Sequence, residues 1–313
     1  MNIAIALTET PAGIERLADI APEAIIRVMP HGPALEEHLD WAQVVFGNIT
    51  PDQIRRAPRL RWAQLNSSGF EPYLTLKDSR VLLTTAHGIT SSACAEHVLA
   101  MMLIFTRRIA YFGQRQRERA WDRRPQILGS LVGQTLGIVG FGANGQALAR
   151  RAKAMEMRVI AVRRTPAEAA PPELDELWTV DRLGEMLAQS DHVAVLIPMT
   201  AETRGLLGAA QLARMRRGAF LYNVSRGGIA DEGALIERLR DGRLGGAAMD
   251  VFEQEPLPAA SPFWEMENVI VTPHLGAAWG GMWDAAFDLF CENLRRFRAG
   301  APLLNVANLE RGY

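Results

Sequence analysis

The sequence predicts an α/β protein of two doubly wound parallel-sheet domains, and three observations carry that prediction. Short apolar runs alternate with helix-spaced stretches along nearly the whole chain. A Gly-x-Gly-x-x-Gly turn joins a strand-like run to a helix-like one. The length, 313 residues, suits two cores better than one.

In the first ninety residues the runs at 3–7, 25–29, 44–47, 62–66 and 81–84 each read as a buried strand. Stretches such as 14–19 and 35–40 between them carry helical spacing. A long helix is expected from about Ser92 to Arg119, apolar first and then rich in arginine and glutamine, with a loop at 129–133. Six further strands are expected at 135–139, 159–162, 192–196, 220–224, 246–251 and 269–272. Helical patterns separate the first five, and 254–268 reads as an irregular, proline-containing connection. The stretch 282–298 is amphipathic and helical and stops at Ala-Gly-Ala-Pro. No internal repeat of solenoid length is visible.

Composition narrows the function classes. The chain is 48% hydrophobic and 22% charged with a net charge of −1, which gives no reason to expect nucleic acid or an anionic membrane as partner. Its longest apolar run, 98–105, is far short of a membrane span, and the apolar amino terminus lacks a basic flank. A cytoplasmic protein is expected. Cys94 and Cys291 cannot form a disulfide framework. Only Lys77 and Lys153 of the 34 cations are lysines, and neither sits where Schiff-base or P-loop chemistry needs one. No metal is expected.

The sharpest local feature is Thr135-Leu-Gly-Ile-Val-Gly-Phe-Gly-Ala-Asn-Gly145. Gly140 permits the tight turn, Gly142 lets backbone approach a pyrophosphate, and Gly145 lets the following helix, expected over 146–153, pack close to the strand. The helix start then offers free N–H groups to phosphates. A dinucleotide site therefore fits better than a mere glycine-rich turn, because strand and helix stand on the correct sides of it. The next strand ends in Val162-Arg163-Arg164-Thr165, where an acid would bind the ribose hydroxyls of NAD. Two guanidinium forks and a hydroxyl suit a 2′-phosphate, so NADP is expected ahead of NAD. The alternative is a pair of solvated surface arginines.

From these motifs onward the sequence resembles the D-2-hydroxyacid dehydrogenase family, particularly its glyoxylate/hydroxypyruvate reductase-like members. The blocks that carry the resemblance are Ala95-Glu96-His97, the glycine loop, Ile197-Pro198-Met199-Thr200 with Thr203-Arg204-Gly205-Leu206, Asn223 to Gly228, Asp250 to Pro256, and Thr272 to Gly276. They occur in family order. The resemblance implies a Rossmann cofactor domain, 97–279, inserted in a flavodoxin-like substrate domain, 1–96 plus 280–313. It assigns catalysis to Arg226, Glu255 and His274. Arg226 would bind the carboxylate of a 2-keto acid, His274 would donate the proton, and Glu255 would orient the imidazole. Locally, each of the three also reads as an ordinary loop residue.

The resemblance further implies that Ser68 and Gly69 receive the substrate carboxylate through backbone N–H groups. Ala143 and Asn144 would cover the pyrophosphate, Ile197 and Pro198 the adenosine side, Val224, Ser225 and Asp250 the nicotinamide, and Ala277 would also touch the cofactor. Asp250 is otherwise an ordinary strand-end acid. The sequence departs from the family pattern in four places. Leu196 replaces the signature His, Arg163 the ribose acid, and Asn144 a branched residue, and Trp279-Gly-Gly281 follows the His274 loop. Trp279 and Trp283 either line the substrate pocket or pack the last helix. The expected protein is an NADPH-preferring reductase of small 2-keto acids, forming a homodimer through the arm near 107–131. Its rivals are a dinucleotide-sensing binding protein of the corepressor type and a formate- or phosphite-type dehydrogenase.

Overall fold

A computed structural model describes residues 1–7, 13–124, 128–166 and 169–310. The chain divides into two compact units, Met1–Ile89 with Trp279–Tyr313, and Thr90–Ala278 between them in sequence. The division therefore falls at residue 90 rather than 97, because the helix that opens the second unit begins at Ser91 and packs within that unit.

The first unit holds five parallel strands, β1 (Asn2–Ala6), β2 (Ile25–Met29), β3 (Val44–Gly47), β4 (Trp62–Gln64) and β5 (Leu82–Thr84), in the order β2-β1-β3-β4-β5. That is the flavodoxin-like order. Its helices α1 (Arg16–Ile20), α2 (Pro33–Glu36) and α3 (Pro51–Arg56) are short. The second of them stops at Glu36 although helical spacing runs to residue 40. Only α3 has a full capping box, in which Thr50 and Gln53 satisfy each other's backbone N–H groups, with Pro51 in the first turn. Alternation along the strands sends Ala4, Val45 and Ala63 to one face and Ile3, Ile5, Phe46 and Trp62 to the other. On that second face the carboxyl-terminal helix Met282–Ala299 inserts Phe290, stacked on Phe46 at 4.7 Å and on Trp62 at 5.2 Å.

In the second unit the expected single long helix is two, α4 (Ser91–Arg107) and α5 (Ile109–Arg117). Arg108 separates them in the left-handed region at φ 53°, and its N–H caps the carbonyls of Ile104 and Phe105. Seven parallel strands follow, one more than the sequence predicts. They are β6 (Thr135–Val139), β7 (Arg158–Arg163), β8 (Glu176–Thr179), β9 (His192–Val195), β10 (Phe220–Asn223), β11 (Gly246–Met249) and β12 (Val269–Val271). The order β12-β11-β10-β9-β6-β7-β8 is the doubly wound dinucleotide arrangement with one added edge strand. The unexpected strand is β8, an edge strand with only Trp178 buried.

Four helices cross between these strands, namely α6 (Ala143–Ala154), α7 (Leu183–Gln189), α8 (Ala209–Arg214) and α9 (Glu232–Arg240). Apolar residues of α4 and α6 cover one face of the sheet, and those of α7, α8 and α9 cover the other. Strand order reverses between β6 and β9, so the chain opens a crevice beside the carboxyl ends of those two strands. Among the described residues, no helix is long and apolar enough to cross a membrane, and no group of three His, Cys, Asp or Glu residues is arranged to hold a metal.

Candidate active site and dinucleotide loop

At the reversal point Gly140 has φ +100°, and a Cβ there would stand 2.7 Å from the Leu196 carbonyl oxygen and collide with Ile197. Only glycine makes this turn against the β9 loop. A Cβ on Gly145 would collide with the Gly140 carbonyl, so helix and strand meet as closely as the spacing predicts. Around Gly142 a Cβ would meet nothing within 4 Å, and no side chain caps the start of α6. The turn, the open position and the uncapped helix start, where Ala143 and Asn144 lie, fit a bound pyrophosphate. The Asn144 side chain itself is held by Ser91 of α4, whose hydroxyl donates to Asn144 Oδ1 at 2.8 Å.

The two arginines at the end of β7, Arg163 and Arg164, diverge. Arg163 lines a pocket with Thr165, whereas Arg164 is ion-paired with Glu202 at 3.0 Å and lies outside that pocket. The sequence reading groups all three residues at a 2′-phosphate; in the structure Arg163 and Thr165 share one pocket lining and Arg164 pairs with Glu202.

Three strand-end loops build the other cluster. After β10, Asn223 is fully buried and its Oδ1 accepts from the Ser225 backbone N–H at 3.2 Å and from the Ser225 hydroxyl at 2.9 Å. Its Nδ2 donates to the Arg226 carbonyl at 2.9 Å, and Arg226 Nη1 donates to the Ser225 carbonyl at 2.7 Å. Gly227 follows because a Cβ would overlap the Phe252 carbonyl, so the Arg226 loop lies directly on the loop after β11. In that second loop, Glu255 Oε1 accepts from the Phe252 N–H at 3.0 Å. Glu255 Oε2 lies 2.7 Å from His274 Nδ1. A carboxylate facing Nδ1 places a proton on that nitrogen and leaves Nε2 as the exchanging position. The side chain of His274 is 47% exposed, so Nε2 is open to exchange.

His274 itself adopts φ 55°, a left-handed conformation unusual for a residue with a Cβ. The strain is held by Asp250, at the end of β11 and 1% exposed. Its carbonyl accepts from the His274 N–H at 2.8 Å. Its Oδ1 accepts from Thr272 Oγ1 at 2.6 Å and from the Leu275 N–H at 2.9 Å, and its Oδ2 from the Gly276 N–H at 2.8 Å. Sequence reasoning places Asp250 at the nicotinamide, and in the structure its buried carboxylate accepts from these three donors of the chain. His97 of α4 completes the tether, with Nε2 3.1 Å from Thr272 Oγ1. It was missed as a site residue, although the Ala95-Glu96-His97 block contains it.

The remaining expected residues fall as follows. Ile197 is half-buried against Gly140, Pro198 and Ala277 are exposed, and Val224 is half-buried between the sheet and Ser225. Ser68 and Gly69 belong to the first unit, where the Ser68 hydroxyl donates to the Ala86 carbonyl at 3.2 Å and the Ser67 hydroxyl to the Gly69 carbonyl at 3.1 Å. Trp279 and Trp283 are each about half exposed, at 46% and 47%. Burial, with the Asp250 charge nearby, pushes the Cys94 thiol up to about 12, which leaves it an inert packing residue.

A dinucleotide loop at a topological reversal and a His–Glu pair beside an arginine loop define a nicotinamide-dependent oxidoreductase. Residues 99–276 match the family described as D-isomer specific 2-hydroxyacid dehydrogenase, NAD binding domain. The glyoxylate reductase of Pyrococcus furiosus is 35% identical over 296 residues, covering 91% of this chain and 87% of that protein. Two solved structures are similar across both chains, each with a TM-score of 0.85. One is a D-isomer specific 2-hydroxyacid dehydrogenase from Xanthobacter autotrophicus with NADPH and MES, 31% identical and covering 100% of this chain and 99% of that one. The other is the NADPH-dependent glyoxylate/hydroxypyruvate reductase of Sinorhizobium meliloti with NADP and sulfate, 30% identical with the same coverage. The chain belongs to the D-isomer specific 2-hydroxyacid dehydrogenase family.

Proposed function

We propose that the protein is an NADPH-preferring reductase of small 2-keto acids, with glyoxylate and hydroxypyruvate as first substrates, yielding D-2-hydroxy acids. The observation that carries this reading is the Glu255–His274 pair at 2.7 Å, anchored on the Phe252 N–H. The nicotinamide, when bound, supplies the hydride that reduces the keto carbon. His274 hands its Nε2 proton to the oxygen that becomes the hydroxyl, and takes it back in the oxidative direction. Glu255 fixes the tautomer and the ring orientation that donation requires. Arg226 engages the substrate carboxylate through its planar fork and polarises the keto oxygen.

Gly140, Gly142, Gly145, Ala143 and Asn144 would hold the pyrophosphate, with Ile197 and Pro198 on the adenosine side. Val224, Ser225 and Ala277 would flank the nicotinamide. Arg163 and Thr165 favour NADP, and the NADP(H)-bound structures of similar proteins support that preference. The units 1–89 with 279–313 and 90–278 would serve substrate and cofactor respectively.

The test is the initial rate of NADPH and NADH oxidation with glyoxylate, hydroxypyruvate, pyruvate and phenylpyruvate. Turnover fastest with NADPH on glyoxylate and hydroxypyruvate supports the reading. Tight cofactor binding without reduction of any of them removes it in favour of a sensing role. We propose a cytoplasmic homodimer, and Trp121 and Ile109, 93% and 53% exposed within the arm 107–131, support the dimer; 125–127 of that arm lie outside the described residues. A sedimentation mass that stays monomeric at all concentrations would exclude the dimer.

A further inference from the structure

The edge of the seven-stranded sheet carries a pocket of about 180 Å³ at the carboxyl ends of β7 and β8. The register pairs Arg163 with Thr179, so the two strand ends open together. Arg163, Thr165, Trp178, Thr179 and Arg182 all line the space. In doubly wound folds the end of the second strand is where the ribose 2′ position is read, and β7 is that strand here. Among the described residues no carboxylate pairs with Arg163.

Arg182 reaches the same space from the turn between β8 and α7. Its guanidinium carbon lies 3.8 Å from the centroid of the Trp178 ring, and Trp178 is only 8% exposed. A buried indole thereby fixes the position of the fork. Glu185 accepts from Nε at 3.1 Å and from Nη2 at 2.7 Å, which locks the remaining rotation and leaves Nη1 outside the pair. The pocket thus offers one guanidinium without a carboxylate, a second one clamped in place, and two threonine hydroxyls. That set matches the doubly charged, tetrahedral oxygen array of a phosphate monoester.

We propose that Arg182 is a specificity-determining residue that grips the 2′-phosphate of NADP(H) together with Arg163, and that Trp178 and Glu185 hold it in position. The proposal rests on the NADP preference proposed above. It moves half of the phosphate grip from the loop after β7 to the next crossover.

The test uses calorimetric titration of wild type, Arg182→Met and Arg182→Lys with adenosine 2′,5′-bisphosphate, 5′-AMP, NADPH and NADH. A charge-assisted hydrogen bond at a half-buried site predicts about a tenfold weaker Kd for the bisphosphate and for NADPH in Arg182→Met. Binding of 5′-AMP and NADH stays within about twofold. Arg182→Lys keeps the charge without the planar fork and recovers only part of the loss. Unchanged affinity of Arg182→Met for the bisphosphate, or an equal loss for both adenosine ligands, overturns the role of Arg182. A wild-type protein that binds the bisphosphate no better than 5′-AMP overturns the NADP preference itself, and the two failures are thereby distinguished.

Discussion

The loops that follow β6 and β12 leave the same edge of one parallel sheet, yet they are built by opposite means. The first is made of backbone. Gly140 turns, Gly145 lets the helix close in, and the working groups are N–H bonds of residues adjacent in sequence. The second is made of side chains brought from elsewhere. Asp250, 22 to 26 residues away, ties Thr272, Leu275 and Gly276, while Glu255 holds His274 from 19 residues away. A loop of the first kind is damaged by adding a methyl group, and one of the second kind by removing a single charge.

The largest effect expected falls on the reacting group. His274→Gln should lower kcat for keto-acid reduction by about 10²–10⁴-fold, since proton transfer is lost, while the Kd for NADPH stays near wild type. Stopped-flow rates with equilibrium binding check this. A small loss in kcat would move the proton donor elsewhere and dissolve the distinction between the loops.

The next pair of substitutions sets the loops against each other. Gly145→Ala forces a Cβ onto the Gly140 carbonyl and should cost about 1–3 kcal/mol of stability, together with cofactor affinity. Asp250→Asn turns an N–H donor toward a backbone N–H that needs an acceptor, and should cost about 1–3 kcal/mol. Its signature is lowered kcat with unchanged cofactor Kd, read by urea unfolding, kinetics and calorimetry. Weakened cofactor binding in Asp250→Asn would instead return Asp250 to the nicotinamide, where the sequence expected it.

This difference in construction also governs what the sequence reveals. Strands such as β1, β3 and β6 are legible because buried parallel strands are continuous apolar runs, and the glycine loop is legible because its physics is local. The edge strand β8 escapes notice because its four residues bury only Trp178, and Arg182 goes unnoticed with it. The break at Arg108 carries no glycine or proline to announce it. Arg226, Glu255 and His274 were named through the family resemblance, and the residues alone left each open. The tether through Asp250 and His97 is a long-range contact, which spacing along a chain does not encode.

Both loops share the sheet beneath them, and acid tests that foundation. His192 opens β9, is 1% exposed, and lies 2.8 Å from the Tyr222 hydroxyl. Burial pushes it down from 6.5 to about 4. A folded value below the unfolded one means that the unfolded chain takes up the proton first as pH falls. Stability is therefore complete above about pH 6.5 and declines through the window down to about 4. At pH 5 the loss is about 2 kcal/mol relative to pH 7. His192→Gln should be less stable at neutral pH but lose about 2 kcal/mol less between those two pH values, as measured by urea unfolding. An unaltered pH dependence would mean that His192 is not the group that takes up the proton on unfolding.

The smallest effect separates orientation from chemistry within the His274 loop. Glu255→Gln removes the negative charge and keeps one acceptor oxygen, which serves either Nδ1–H or the Phe252 N–H while the amide NH2 faces the other. At a half-exposed pair the charge is worth little, and a fall in kcat/KM of about tenfold is expected. The Kd for NADPH should stay near wild type, so that steady-state kinetics with calorimetry assigns the loss to His274 and not to the cofactor site. An unchanged rate would mean that the tether through Asp250 suffices to hold His274, and the second loop would then depend on one charge rather than two.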